Sequence, residues 1–177
     1  MKRILILGCG GSGKSTMARI LGERLGLPVI HLDQHYWRAG WVEPSKEEWR
    51  VQALELAARP EWVMDGNYSG TFPQRFAVAD MVIAFDFPTW LCLWRVCKRI
   101  AEGYGRTRPD LPGGCPEQID FKFLLYVLRF RRDSRPRLMA ALGAYPGTRH
   151  VLANPADVNR FITALPSSPL PPATPPS

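Results

Sequence analysis

Residues 3–17 read RILILGCGGSGKSTM. Four apolar residues, Ile4 to Leu7, run into a glycine-rich turn and then Lys14, after which Met17, Ile20, Leu21 and Leu25 recur at helical spacing. That is the order strand, loop, helix. Within it, Gly8-Cys9-Gly10-Gly11-Ser12-Gly13-Lys14-Ser15 satisfies G-x-x-x-x-G-K-[ST] at every fixed position. Such glycines admit positive φ, so successive backbone N–H groups can turn inward around phosphate oxygens. The following helix adds the positive end of its dipole. Lys14 is expected to reach the β- and γ-phosphates of ATP and the Ser15 hydroxyl to ligate Mg²⁺. Gly8, Gly10, Gly11, Ser12, Gly13 and Thr16 complete the expected nucleotide contacts.

Working outward, short apolar runs at 28–32, 62–64, 81–85 and 151–153 read as further strands. Between them lie helical stretches. One starts at Ser45, with Glu48 placed to complete a capping box, and ends near Pro60. A second follows Pro88 and runs through Arg99, a third covers 119–130, apolar nearly all round, and a last covers 157–164. Strands alternating with helices predict an α/β fold: a five-stranded parallel sheet with helices on both faces, in the three-layer arrangement of P-loop NTPases. Residues 34–44 are aromatic and irregular, and 103–116 are rich in glycine and proline. We expect one domain over 1–165, with a lid over about 103–132. Six of the last twelve residues are proline, so 166–177 are expected to be a disordered tail.

Composition narrows the class. The 177 residues are 46% hydrophobic, enough for a real core, and no apolar run reaches the ~18 residues of a membrane span. The expectation is a soluble, cytoplasmic protein with no membrane partner. Four scattered cysteines form no C-x-x-C pair, which argues against a redox motif or a closed zinc site. The net charge of +7 is local: residues 91–150 hold twelve Lys and Arg against five Asp and Glu. A basic segment so confined suits an anionic partner such as a nucleotide.

Ligands of open parallel sheets bind at the carboxyl ends of the strands. Asp33 and Asp65-Gly66-Asn67-Tyr68 stand at such ends. The succession of phosphate loop, WVMDGNY (62–68), ADMVIAFDFP (79–88) and the pair Arg95 and Arg99 resembles the adenylate-kinase-like small kinases. More closely, His31-Leu32-Asp33 with Trp37, then DGNY, Arg108-Pro109-Asp110 and Gly114-Cys115-Pro116-Glu117 resemble the DNA topology modulation proteins, over roughly residues 1–163. The resemblance implies an ATP-dependent kinase, with Arg95 over the adenine and Arg99 on the transferring phosphate. Where adenylate kinases carry Thr-Gly-Asp after the second strand, this chain has HLDQHYW (31–37), which points away from AMP as acceptor. An Asp there is more like the shikimate, gluconate and nucleoside kinases, where it faces the acceptor hydroxyl.

The expected roles follow. Lys14, Arg99 and Arg129 neutralise phosphate, with Arg106, Arg108 and the run 129–132 as a closing lid. Asp33 binds the acceptor and serves as general base. Asp65 holds Mg²⁺ through water together with Ser15. Trp37 and Trp41 either wall the acceptor pocket or pack together within their loop, and Asp86 caps a helix. His31 and His35 suit zinc by residue type but not by spacing on a strand. The competing class is an ATP-binding regulator associated with nucleic acid, with RFRRDSRPR (129–137) on backbone phosphates.

Overall fold

The computed structural model describes residues 1–165, so the expected proline-rich tail, 166–177, lies outside the described residues. Five strands, β1 (Arg3–Gly8), β2 (Val29–His31), β3 (Trp62–Asp65), β4 (Met81–Phe85) and β5 (Thr148–Leu152), form one sheet. Its order is β2-β3-β1-β4-β5 and every pairing is parallel. β1 lies at the centre, Ile4 facing Val63 on one side and Met81 on the other. Ile4, Leu5, Ile6 and Leu7 have no exposed surface. A strand covered on both faces needs no polar alternation, which is why this segment reads as an unbroken apolar run.

The helices are α1 (Lys14–Leu25), α2 (Leu32–Tyr36), α3 (Lys46–Ala58), α4 (Phe72–Val78), α5 (Thr89–Gly103), α6 (Phe121–Asp133), α7 (Arg135–Ala144) and α8 (Pro155–Thr163). α1 stops at Gly26, whose φ of 64° lets its N–H reach the carbonyl of Gly22. The capping box opens α3 as expected: Glu48 N–H donates to Ser45 Oγ, and Ser45 N–H to the Glu48 carboxylate.

Three helices were not anticipated. α2 follows β2 with no break, inside the segment read as irregular. α4 is short and carries Pro73 in its first turn. α7 follows α6 after Ser134 alone. β5 is an edge strand with Thr148, Arg149 and Val151 exposed, so it lacks the apolar run that marks the other strands, and it starts three residues before its expected position. α6 is not buried all round: Val127 and Phe130 are buried, whereas Leu125 and Leu128 are 44% and 51% exposed. Among the described residues no helix is long and apolar enough to cross a membrane.

Candidate active site

The loop between β1 and α1 stands at the carboxyl end of the central strand, where β1 separates β3 from β4. Its shape requires glycine. A Cβ on Gly11 would lie 2.5 Å from the Cys92 carbonyl of α5, and Gly13 holds φ 100° at the first turn of α1. Ser12 N–H donates to the Cys9 carbonyl at 3.2 Å, closing the turn. Lys14 Nζ donates to the same carbonyl at 2.8 Å. The Ser12 hydroxyl is buried with no hydrogen-bond partner among the described residues. A tight nest at a helix N-terminus, an orphaned buried hydroxyl and an ammonium folded over the loop are a donor set that fits phosphate. Arg95 of α5 reaches the Ser12 carbonyl at 3.3 Å and lies 5.2 Å from the Phe87 ring centroid.

A cavity of about 1130 Å³ runs from this loop in both directions. Lys14, Ser15, Thr16 and Arg95 line it, together with Phe87 and, at one end, Pro155, Val158, Asn159 and Ile162 of α8. The α8 residues were missed by the sequence reading. The signal available was Asn154, whose side chain caps α8 by accepting from Asp157 N–H at 3.0 Å.

At the other end stand the carboxylates predicted from the strand ends. Asp65 closes β3, and its Oδ1 lies 2.7 Å from His31 Nδ1 at the end of β2. Burial pulls the His31 imidazole down, but the hydrogen bond to Asp65 and its charge outweigh this, and the net shift is upward. The histidine is therefore a partner of the carboxylate. Asp33, in the first turn of α2, accepts a hydrogen bond from the Tyr68 hydroxyl at 2.7 Å. Burial pushes the Asp33 carboxyl up, against the Tyr68 hydrogen bond. Tyr68 is pushed up in turn by burial and by Asp33, so its hydroxyl stays a donor.

The Asp-Gly-Asn-Tyr turn is held from below by a residue the sequence reading passed over. Arg75 of α4 is fully buried. Its guanidinium donates to the carbonyls of Gly66, Asn67 and Tyr68 and to Thr71 Oγ1. Burial pulls it down to about 9. Within the turn, Asn67 accepts from Gly8 N–H at 3.0 Å and donates to Gly8 O at 2.8 Å and to the Tyr126 hydroxyl of α6 at 2.7 Å. One amide thus joins the base of the phosphate loop to the expected lid.

Beside that expected lid, Arg99 of α5 and Arg108 both contact Glu117 Oε1, at 3.1 and 2.5 Å, and Arg108 donates to Asp110 at 2.9 Å. Glu117 is only 4% exposed. Arg99 also lies 5.8 Å from the Phe123 ring centroid. Arg99 and Arg108 line the cavity. Arg129 does not: it is exposed and borders a shallow surface depression with Lys122, Leu125 and Asp133. Helical phase explains the difference, because Phe123, Tyr126 and Val127 or Phe130 share the inward face. Arg106, Arg131 and Arg132 are likewise exposed. Asp86 does not cap α5. It makes a bidentate pair with Arg135, at 2.6 and 2.7 Å.

Trp37 and Trp41 line the same cavity as Asp33, with Tyr36 and Tyr68. Trp41 holds φ 62°, uncommon for a bulky side chain, and its indole N–H donates to the Pro116 carbonyl at 3.1 Å. Gly40 N–H bonds the Gly114 carbonyl at 2.8 Å, so the wall carrying Trp41 is fastened to the loop that carries Glu117.

A parallel sheet ordered β2-β3-β1-β4-β5, with the G-x-x-x-x-G-K-S loop leaving its central strand, defines the P-loop NTPase fold. Solved structures share this architecture: shikimate kinase from Acinetobacter baumannii in complex with shikimate (TM-score 0.57, 18% identity, covering 92% of this chain and 89% of that one), and a gluconokinase from Sinorhizobium meliloti 1021 (TM-score 0.53, 17% identity, covering 92% and 94%). At such identity the likeness is one of fold. In sequence, the chain is 28% identical over 125 residues to the uncharacterized protein YqaC of Bacillus subtilis, covering 70% of this chain and 69% of that protein. No protein-family model matches the chain.

Proposed function

We propose that this protein is an ATP-dependent phosphotransferase that moves the γ-phosphate of ATP to a hydroxyl of a small molecule. The observation that carries the reading is Asp33, a carboxylate with raised proton affinity, lining the same cavity as the phosphate loop. Lys14 and the loop amides bind the polyphosphate, and Arg95 with Phe87 borders the base. Asp33 accepts the acceptor's proton as its oxygen bonds to the γ-phosphorus, while the bond from that phosphorus to the β–γ bridging oxygen breaks and ADP leaves. Tyr68 orients Asp33, and Arg99 is set to meet charge on the moving phosphoryl group. Ser15 and, through water, Asp65 would hold Mg²⁺, which when bound offsets phosphate charge. Residues 103–132 act as the lid, tied to the loop through Asn67.

The segments that resemble DNA topology modulation proteins, His31–Asp33, the 65–68 turn, 108–110 and Glu117, contribute residues to this cavity. We read the site they form as catalytic and any effect on DNA as indirect. The exposed Arg129, Arg131 and Arg132 favour the second reading, an ATP-switched nucleic-acid binder. The deciding experiment is incubation with Mg-ATP and pools of nucleosides, nucleotides, sugars and oligonucleotides, followed by mass analysis. Phosphate on a small molecule supports the kinase. Salt-dependent DNA binding without any phosphorylated acceptor supports the regulator.

A further inference from the structure

The acceptor end of the cavity carries a charge balance that the phosphate loop does not. Six carboxylates line the cavity: Asp33, Glu43, Asp65, Asp110, Glu117 and Asp120. Its fixed cations are Lys14 and Arg95, beside the phosphate loop, and Arg19, Arg99 and Arg108. Two of the last three are already engaged by Glu117, and Arg108 by Asp110 as well. Arg19 is exposed and sits one helical turn beyond Ser15, the residue expected at the metal. An anionic acceptor would need a cation free to pair with it, and it would meet carboxylates at Glu43 and Asp33 that are held by the Tyr36 and Tyr68 hydroxyls rather than by a cation.

The walls are aromatic. Tyr36 and Tyr68 lie 4.7 Å apart between ring centroids, and Trp37 and Trp41 lie 5.3 Å apart. Trp41 is held in its left-handed backbone conformation with its indole anchored to the lid loop. A bulky residue is disfavoured in that region, so packing and the Pro116 bond fix this ring against its own backbone preference. Flat rings among carboxylates favour a planar or apolar face and, near the carboxylates, neutral or positive groups.

Resting on the phosphotransferase reading, we infer that the acceptor is an uncharged or cationic hydroxyl compound with a flat or apolar face, a nucleoside or an amino sugar in chemical type, and that compounds bearing phosphate or carboxylate are excluded. The Arg99–Glu117–Arg108 cluster enforces the exclusion by engaging both of these cavity-lining arginines with a buried carboxylate. In the transfer itself the acceptor oxygen gains the phosphoryl group, Asp33 takes the proton, and ADP carries away the bridging oxygen.

The test uses the full chain with saturating non-hydrolysable ATP and matched pairs: adenosine and AMP, glucitol and gluconate, glucosamine and glucuronate. Binding is read by tryptophan fluorescence, and transfer is read separately with ATP. The uncharged or cationic member should bind about 100-fold tighter than its anionic partner, the scale of an uncompensated like-charge contact. In Glu117→Gln, which removes the carboxylate from Arg99 and leaves Arg108 paired with Asp110, the gap should narrow by ~10-fold. Should that variant not fold, the wild-type pairs carry the test alone. Equal affinities, preference for the anionic members, or no binding by any compound overturns the inference. Charge-selective binding without transfer to any compound upholds the charge selection of the cavity and counts against the phosphotransferase reading.

Discussion

Replacing Arg75 by Met keeps most of the side-chain volume and removes the guanidinium. Three acceptors lose their donor, the carbonyls of Gly66 and Asn67 and the Thr71 hydroxyl oxygen, while the Tyr68 carbonyl keeps the Thr71 N–H and hydroxyl. A buried acceptor left unsatisfied costs about 1–3 kcal/mol, so three set an upper bound of ~9 kcal/mol. Two effects reduce it. The arginine itself is desolvated at some expense, as its lowered proton affinity shows, and water can reach part of the turn. Breaking a buried charged network typically costs ~3–5 kcal/mol, and we expect a loss in that range. For a domain of this size, that lowers the melting temperature by about 6–20 °C. Urea denaturation gives the free energy directly. Because the same turn holds Tyr68 against Asp33 and Asn67 against Gly8, ATP affinity should fall as well, measured well below the variant's transition. A stability within ~1 kcal/mol of wild type, the scale of an ordinary point substitution, would refute the role assigned to Arg75.

Other expectations follow from the same geometry. Lys14→Ala should weaken Mg-ATP binding or turnover severely with the melting curve unchanged, since the ammonium contacts only a loop carbonyl; calorimetric titration checks the binding and a coupled ADP assay the turnover. Asp33→Asn should retain ATP affinity and lose transfer by ~10²-fold or more, the scale of acid–base catalysis. It should also be more stable than wild type at neutral pH: the folded carboxyl is raised, so its ionisation costs stability as pH rises through that value, and the two melting curves should converge in acid. His31→Asn has the opposite profile. The raised folded imidazole contributes stability below its ordinary value of about 6.5, and loses it as pH rises through the folded value, so the deficit of the variant should shrink in base. A deficit independent of pH between 5 and 9 would show that His31 is not charged beside Asp65.

The phosphate loop, the central strand and the carboxylates at strand ends were legible because each obeys a local rule: an apolar run for a doubly covered strand, glycine where a Cβ would strike Cys92, an acid where the chain leaves the sheet. Residues whose role depends on phase or on distant packing were not. Arg129 and Arg99 look alike in a basic segment, yet helical phase sends one outward and the other to Glu117. Arg75 reads as an ordinary surface charge until the turn at 66–68 is folded over it. β5 escaped full recognition because an edge strand alternates its exposure, and α7 because only Ser134 separates it from α6. Glu117, a single acid in a proline-rich loop, gave no hint that it gathers two arginines.

The central place of β1 also sets a schedule for biosynthesis. Ile4 to Leu7 leave the ribosome well before their two neighbours in the sheet, β3 and β4, which lie about 60 and 80 positions further along the chain. At translation rates of ~5–20 residues per second, the most apolar strand spends several seconds with neither edge paired. During that interval it is a template for other nascent chains, and α1 alone can shelter one face of it. Chains arrested before residue 81 should therefore be captured by chaperones or aggregate, whereas those extended past β4 gain a partner on each side of β1 and can close the core.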